Sequence, residues 1–337
     1  MSGSITTVAA LEAYVGKAPA PVNLKVIDHL DEGALRWIAA SPVMFAGFGE
    51  TPRIGITLGG GHPGFAGGDA HELRLPAALL DDPTLARPGV GFGALFPLPG
   101  IGETLRVNGR VAQVREGELR ITVEECYGHC AKALIRSDFW AASPDAATPG
   151  DASAFLSASR FMALATIDAQ GRADLSPKGD PAGTMASLED GRAWFAERPG
   201  NRRVDSFRNI ISQPHVAAAL LIPGSTHVVY LSGQAWLTTD EVIRARFVVQ
   251  DKTPILVTGI DAPIIDLRES ATLVRARLWP LKARTEGIDP AKVFVEHFKL
   301  NSNKGLGARL ASAVLAVPGV PGLLKKGLEK DYKTNLY

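Results

Sequence analysis

Residues 95–113 read LFPLPGIGETLRVNGRVAQ, and residues 219–237 read ALLIPGSTHVVYLSGQAWL. Both contain an apolar run, a Pro-Gly turn, an alternating segment and a second glycine nine positions after the first. The glycine pairs are Gly100 with Gly109 and Gly224 with Gly233, and Pro223 follows Pro99 by 124 residues (223 − 99). Such self-similarity sets the domain count before any residue-level reading. Upstream, SPVMFAGFGETPRIGITLGGGHPG (41–64) matches SRFMALATIDAQGRADLSPKGDPAG (159–183) at an offset of 118 (159 − 41). The offset therefore grows by six residues between the two anchors (124 − 118). The growth falls where the second copy carries ERPGNRRVDSFRN (197–209) and the first only HELRLPAALLDD (71–82). One copy thus has a basic loop that the other lacks.

The punctuation around these anchors reads as a β-hairpin domain used twice. FMALATI and GRADLSP flank the polar turn Asp168-Ala169-Gln170-Gly171, a hairpin signal. RAWFAE supplies a third strand. VDSFRNIISQ places Val204, Phe207, Ile210 and Ile211 at helical spacing, and Pro214 stops it. HVAAALLIP and HVVYLSGQAWLTT supply further strands, DEVIRARFVVQ (240–250) reads as a helix, and ATLVRARLW (271–279) as the closing strand. The fold expected is mainly β, a closed barrel in each half with a few helices, plus a helical C-terminal extension. The expected domains are 24–140, 151–285 and the extension 286–337, with AASPDAATPGDAS (141–153) as linker. In the extension Phe294, Val295, Phe298 and Leu300 suit a helix packed on a barrel. Its Lys/Leu-rich end reads as a surface arm, a partner contact or a lid.

Composition limits the functions. The 337 residues carry 36 basic and 35 acidic side chains, a formal charge of +1. No net positive field would attract phosphate backbones, so nucleic acid is not an expected partner. The longest apolar stretches, such as Val216 to Ile222, are too short for a bilayer span of about 20 residues, so no membrane is expected either. The start MSGSITTVAALEAYVGK lacks a basic region ahead of an apolar run, which makes the cytoplasm the expected location. Cys126, His129 and Cys130 lack the second, separated ligand pair of a tetrahedral site, so no metal is expected.

Three clusters carry chemistry. Arg202 and Arg203 stand just before or within the first turn of the 204–213 helix. Cations there are disfavoured by the helix dipole by about 0.3–1 kcal/mol each. A bound anion reverses that sign, because free N–H groups and two guanidinium forks converge on it. Two solvated arginines paired with Asp205 or Glu197 are the plainer alternative. In SPKGDPAG (176–183), Ser176 offers a hydroxyl, Lys178 a mobile cation, and Gly179 and Gly183 close backbone approach. The first copy, LGGGHPG, keeps the turn but loses Ser, Pro and Lys, and it loses the Arg-Arg loop as well. In EECYGHCAKALIRSDFW (124–140), His129, Lys132 and Arg136 add cationic or hydrogen-bonding groups.

With these residues in view, the chain resembles the pyridoxamine 5'-phosphate oxidase-like, FMN-binding split-barrel family in a tandem, fused-dimer form. The resemblance rests on FMALATIDAQGRADLSPKGDPAG, RPGNRRVDSFRNI, the two Pro-Gly segments and HCAKALIRSDFW. It implies two tandem split β-barrel domains, each six-stranded, forming a pseudo-dimer around FMN. By that resemblance Arg202 and Arg203 bind the FMN phosphate, assisted by Asn201 and Asn209. Ser176, Lys178 and Gly179 then lie along the ribityl chain or ring edge, and His129, Lys132 and Arg136 reach across from the first barrel. It implies one FMN per chain, an oxidoreductase acting on a small molecule with NAD(P)H as a reductant, and a monomeric pseudo-dimer or a homodimer. A non-catalytic flavin- or haem-binding protein for storage or sensing is the alternative on the same scaffold, and the deazaflavin F420 suits the same groove. No catalytic residue is singled out. The Arg-Leu-His segment of genuine pyridoxamine 5'-phosphate oxidases is missing, so vitamin B6 oxidation is not implied.

Overall fold

Each Pro-Gly pair makes a tight reversal. Gly100 and Gly224 take φ of +72° and +104°, left-handed values that a side chain would strain. The computed structural model describes residues 3–143, 148–200, 202–301, 327, 330–332 and 334–337. The chain begins with β1 (Ser4–Ile5), α1 (Val8–Val15), α2 (Ala20–Leu24) and α3 (Glu32–Ala40). A first sheet follows, from β2 (Val43–Glu50), β3 (Arg53–Gly60), β4 (Gly67–Gly68) and β5 (Glu72–Pro76) to β6 (Gly91–Pro97), β7 (Thr104–Arg115) and β8 (Glu118–His129). Helices α4 (Lys132–Arg136) and α5 (Ala152–Ala158) lead to the second sheet. That sheet has β9 (Phe161–Ile167), β10 (Ala173–Gly179), β11 (Ser187–Glu189) and β12 (Arg192–Ala196), then α6 (Asp205–Ser212) and β13 (His215–Leu221). It is completed by β14 (His227–Thr238), α7 (Glu241–Ala245) and β15 (Val257–Glu269), followed by α8 (Ala271–Ala276) and α9 (Pro290–Leu300).

The two sheets share one antiparallel order. The first runs β3-β2-β6-β7-β8-β5-β4 and the second β10-β9-β13-β14-β15-β12-β11, with β1 paired to β14. This is the tandem, mainly β, split-barrel pseudo-dimer expected from the repeat and the family resemblance. The second glycine of each Pro-Gly segment marks a β-bulge, where the register shifts at Asn108/Gly109 and at Ser232/Gln234. A Cβ on Gly109 would stand 2.1 Å from the Thr122 carbonyl oxygen, and one on Gly233 2.6 Å from Ile260 Cγ2. Glycine is therefore required where each long hairpin bends.

Three large apolar cores and a small one around Trp194 and Phe247 are formed by the described residues. One fills the first barrel around Trp37, Phe48, Phe92 and Phe96, and another fills the second around Phe155, Phe195 and Phe207. Between them lies a third, in which Val43, Phe45, Ile56 and Leu95 meet Phe161, Ala163, Ala165 and Leu175. Strands β2, β6, β9 and β13 are consequently buried on both faces, which is why they read as continuous apolar runs. The N-terminal segment joins the second barrel rather than the first. Leu11 lies in that core, and Arg208 of α6 pairs with Glu12 at 2.8 Å.

Three sequence expectations are corrected here. The segment 271–279 does not form the closing strand: 271–276 is α8, with Ser270 capping it through Leu273 N at 3.1 Å. The closing strand is β15, whose outer half is partly exposed: Ile265 and Leu267 pack on the second barrel's core while the residues between them face solvent. The helix read over 240–250 is confined to Glu241–Ala245. The extension forms α9, with Val295 and Phe298 buried and Leu300 exposed. Residues 302–326 of that extension lie outside the described residues, as does Asn201.

Candidate functional site

The cleft between the barrels is built from three pieces of chain. β10 supplies the first, since alternation along a strand sets Asp174, Ser176 and Lys178 on one face. The segment after β12 supplies Glu197, Arg198, Arg202 and Arg203 as it turns into α6. The first barrel supplies Arg106 from β7, His129 from the end of β8, and Lys132 and Arg136 one helical turn apart on α4. The cleft is open to solvent and holds a cavity of about 90 Å³. Its lining holds seven cations, of which Arg106, Lys132, Lys178, Arg198 and Arg203 pair with Asp174, Asp331, Glu197, Asp180 and Asp205. Among the described residues, Arg136 and Arg202 have no carboxylate partner and make up the surplus.

The cations are held in different ways. Arg106, 1% exposed, links the barrels by donating to Asp174 Oδ1 at 2.6 Å, to Ser176 Oγ at 3.1 Å, and to Tyr127 Oη. Arg203 stacks over the same Tyr127 ring at 4.2 Å and pairs with Asp205. Lys178 pairs with Glu197 at 3.1 Å and sits 4.5 Å above the Phe207 ring. Arg198 donates to Asp180 at 2.6 Å. Burial pushes the Asp180 carboxyl up to about 6, although Arg198 pulls the other way. Burial likewise holds the His129 imidazole well below its ordinary value, aided by Arg106 and Lys25, so the ring is neutral. Among the described residues, Arg106 Nε, His129 Nδ1, Arg198 Nη2 and Asp180 Oδ1 are buried without a hydrogen-bond partner. Buried polar atoms are seldom left so, and the Arg106, His129 and Arg198 nitrogens give this cleft unused hydrogen-bonding capacity.

The backbone beside the arginines is strained. Arg202 and Val204 have φ of +58° and +47°, and a β-branched residue in that region costs about 1–2 kcal/mol. The kink turns Arg203 inward, whereas the Arg202 guanidinium rests against the Gly16 turn at the end of α1.

Of the residues singled out in the sequence, Ser176, Lys178, Gly179, Arg202, Arg203, His129, Lys132 and Arg136 all line this cleft. Asn209 is turned away and donates to Thr166 Oγ1 at 3.0 Å. Gly179 admits a neighbouring backbone rather than a ligand, since a Cβ there would lie 1.8 Å from the Ala133 carbonyl oxygen of α4. His129 contributes hydrogen bonding, not charge. Sequence reasoning missed Arg106, Arg198 and Tyr127. Arg106 had one usable signal: an arginine between Leu105 and Val107 at the repeat position where the second copy has Tyr230. Cys126 is buried in the first barrel's core, and Cys130 borders the cleft.

The mirror-related position is filled by protein. Arg275 of α8 corresponds to Arg136 of α4: Arg275 donates to the Leu79 carbonyl at 3.1 Å and Arg136 to the Pro199 carbonyl at 2.6 Å, 120 residues apart (199 − 79). There the likeness stops. Asp81 reaches across to accept from Thr272 N and Oγ1, each at 2.8 Å, and from Ser270 Oγ. A Cβ on Gly61 would stand 2.7 Å from Arg275 Cβ, so side chains take up the space. An internal carboxylate stands on this side, and a surplus of cations on the other.

Residues 148–261, which include the second sheet as far as the middle of β15, match the family model of pyridoxamine 5'-phosphate oxidase. No protein of curated function matches the chain. Among solved structures, HupZ of Group A Streptococcus is similar at 19% identity over 35% of this chain and 92% of its own, with a TM-score of 0.30. A pyridoxamine 5'-phosphate oxidase homologue from Lactobacillus delbrueckii is similar at 20% identity over 36% and 92%, with a TM-score of 0.27. A pyridoxamine 5'-phosphate oxidase-related, FMN-binding protein from Nostoc punctiforme follows at 16% identity over 33% and 75%, with a TM-score of 0.23.

Proposed function

We propose that this chain, whose second half is pyridoxamine 5'-phosphate oxidase-like, binds one FMN in the cleft between its barrels and works as an oxidoreductase. The observation that carries this reading is the surplus of cations around orphaned donors of Arg106 and Arg198. An anionic, polar ligand satisfies both, and FMN is one. Arg202 and Arg203 hold its phosphate, where a phosphate also offsets two cations placed just ahead of α6. Ser176 and Lys178 border the remainder of the molecule. His129, neutral and at the end of β8 just ahead of Lys132, presents a ring nitrogen to it. When bound, the flavin supplies the two-electron chemistry, and the protein positions it, keeps water out and sets the charge around it. The mirror position, occupied by Asp81, supports a single ligand per chain.

Purified protein mixed with FMN is expected to retain a flavin absorbance band through gel filtration, and NAD(P)H under anaerobic conditions is expected to bleach it. Loss of the flavin on the column would overturn the assignment. A retained flavin that no physiological donor reduces would support the second reading, a non-catalytic flavin or haem carrier. That reading has one observation in its favour, the buried neutral imidazole of His129, and a Soret band on adding haem would identify it.

A further inference from the structure

The last described residues of the chain do not stand apart from the cleft. Asp331 pairs with Lys132 at 2.9 Å, and Lys132 Nζ also donates to the Asn335 carbonyl at 2.8 Å. Arg136 Nε donates to the Leu336 carbonyl at 2.7 Å. The Tyr337 ring lies against two guanidinium groups, 5.5 Å from that of Arg136 and 5.7 Å from that of Arg198. Further back, Tyr332 Oη accepts from Ala131 N and donates to Glu103 Oε1, each at 3.3 Å. The peptide therefore runs along α4 and offers a carboxylate, two carbonyls and an aromatic ring to the cations of the first barrel's side. Those are the groups that an anionic, ring-bearing ligand would bring.

We infer that residues 331–337 are an internal competitor for the cleft: they occupy Lys132 and Arg136 until an anionic ligand displaces them. The inference rests on the reading of this cleft as an anion site. An anionic ligand adds a charge–charge attraction that the Asn335 and Leu336 carbonyls cannot offer Lys132 and Arg136, so displacement is downhill once the second barrel binds the ligand as well. Until then, apparent affinity is lowered by the fraction of molecules whose cleft the peptide fills. Displacement also frees Tyr337 and the peptide ends, which links cleft occupancy to exposure of the C-terminal segment.

The test compares the full chain with a chain ending at Lys330, titrating each with FMN and with pyrophosphate. The shortened chain is expected to bind FMN at least tenfold more tightly, and pyrophosphate more tightly too. The full-length variant Asp331→Asn with Tyr337→Ala keeps the chain intact and is expected to move the same way by a smaller factor. Carboxypeptidase digestion followed by mass measurement is expected to trim the full chain several-fold faster once FMN is present. Weaker or equal binding by both altered proteins, or a tail that FMN protects, would overturn the inference. If FMN fails to bind either protein, the flavin reading falls, and the pyrophosphate arm still decides on competition. Failure of both ligands to bind overturns both.

Discussion

Arg106 and Arg203 contact one tyrosine ring and are held for different ends. Arg106 is the buried tie between barrels, and its partner Asp174 has no access to water when the tie is cut. Arg106→Met is therefore expected to lower unfolding free energy by about 3–5 kcal/mol in urea denaturation, since it strands a buried carboxylate. Arg203 is partly exposed and sits at the cleft mouth with Asp205. Arg203→Ala is expected to destabilise the protein less than Arg106→Met in the same assay, since Asp205 keeps access to water, and to weaken FMN or phosphate binding at least tenfold. Asp180 makes the site pH-sensitive. Its carboxyl, raised by burial to about 6, is charged at pH 7.5 and neutral at pH 5, so acidification removes one negative charge from the cleft. Anion affinity is expected to rise between pH 7.5 and 5 by more in the native protein than in Asp180→Asn, where that contribution is absent. Titrating both proteins at each pH cancels the ligand's own phosphate ionisation.

The elements differ in how openly the sequence declares them. Hairpins with a Pro-Gly or Asp-Ala-Gln-Gly turn were legible because turn chemistry is local. The glycines at the two bulges were visible only as a repeat, because their necessity comes from a neighbouring strand. Gly109→Ala and Gly233→Ala are each expected to destabilise the protein by about 1–3 kcal/mol, with the larger loss at Gly109, where the obstacle is backbone. Urea denaturation of the two variants checks the order. Strand β15 is hidden in the sequence because Gly259, Asp261 and Pro263 punctuate it like a turn, although Ile265 and Leu267 beyond them keep the alternation of a half-buried strand. The 271–276 segment resembled a strand by its β-branched residues, yet Ser270 caps it into a helix. The partner that reads Gly179, the Ala133 carbonyl, lies in the other barrel and leaves no local trace. Likewise Asn209 sits beside the basic loop in sequence but on the helix face that meets β9.

At the scale of the whole molecule, two copies of one fold give one cleft rich in cations and one closed by Asp81. The asymmetry was legible in part, because the basic loop appears in only one copy and Lys132 only in the other. The closing of the mirror side was not, since Asp81, Ser270 and Thr272 are ordinary surface residues until the barrels are brought together. Neither was the attachment of α1 to the second barrel, which depends on a contact 196 residues away in sequence. The described part of the C-terminal segment lies against Lys132 and Arg136, a placement that no pattern within it announces. The most direct measurement is the stoichiometry of FMN on the purified full chain, by absorbance after gel filtration and by calorimetric titration. One flavin per chain, lost in Arg202→Ala with Arg203→Ala and kept in Asp81→Asn, is the expected result. Two flavins per chain, or unchanged binding without both arginines, would contradict the assignment of the cleft.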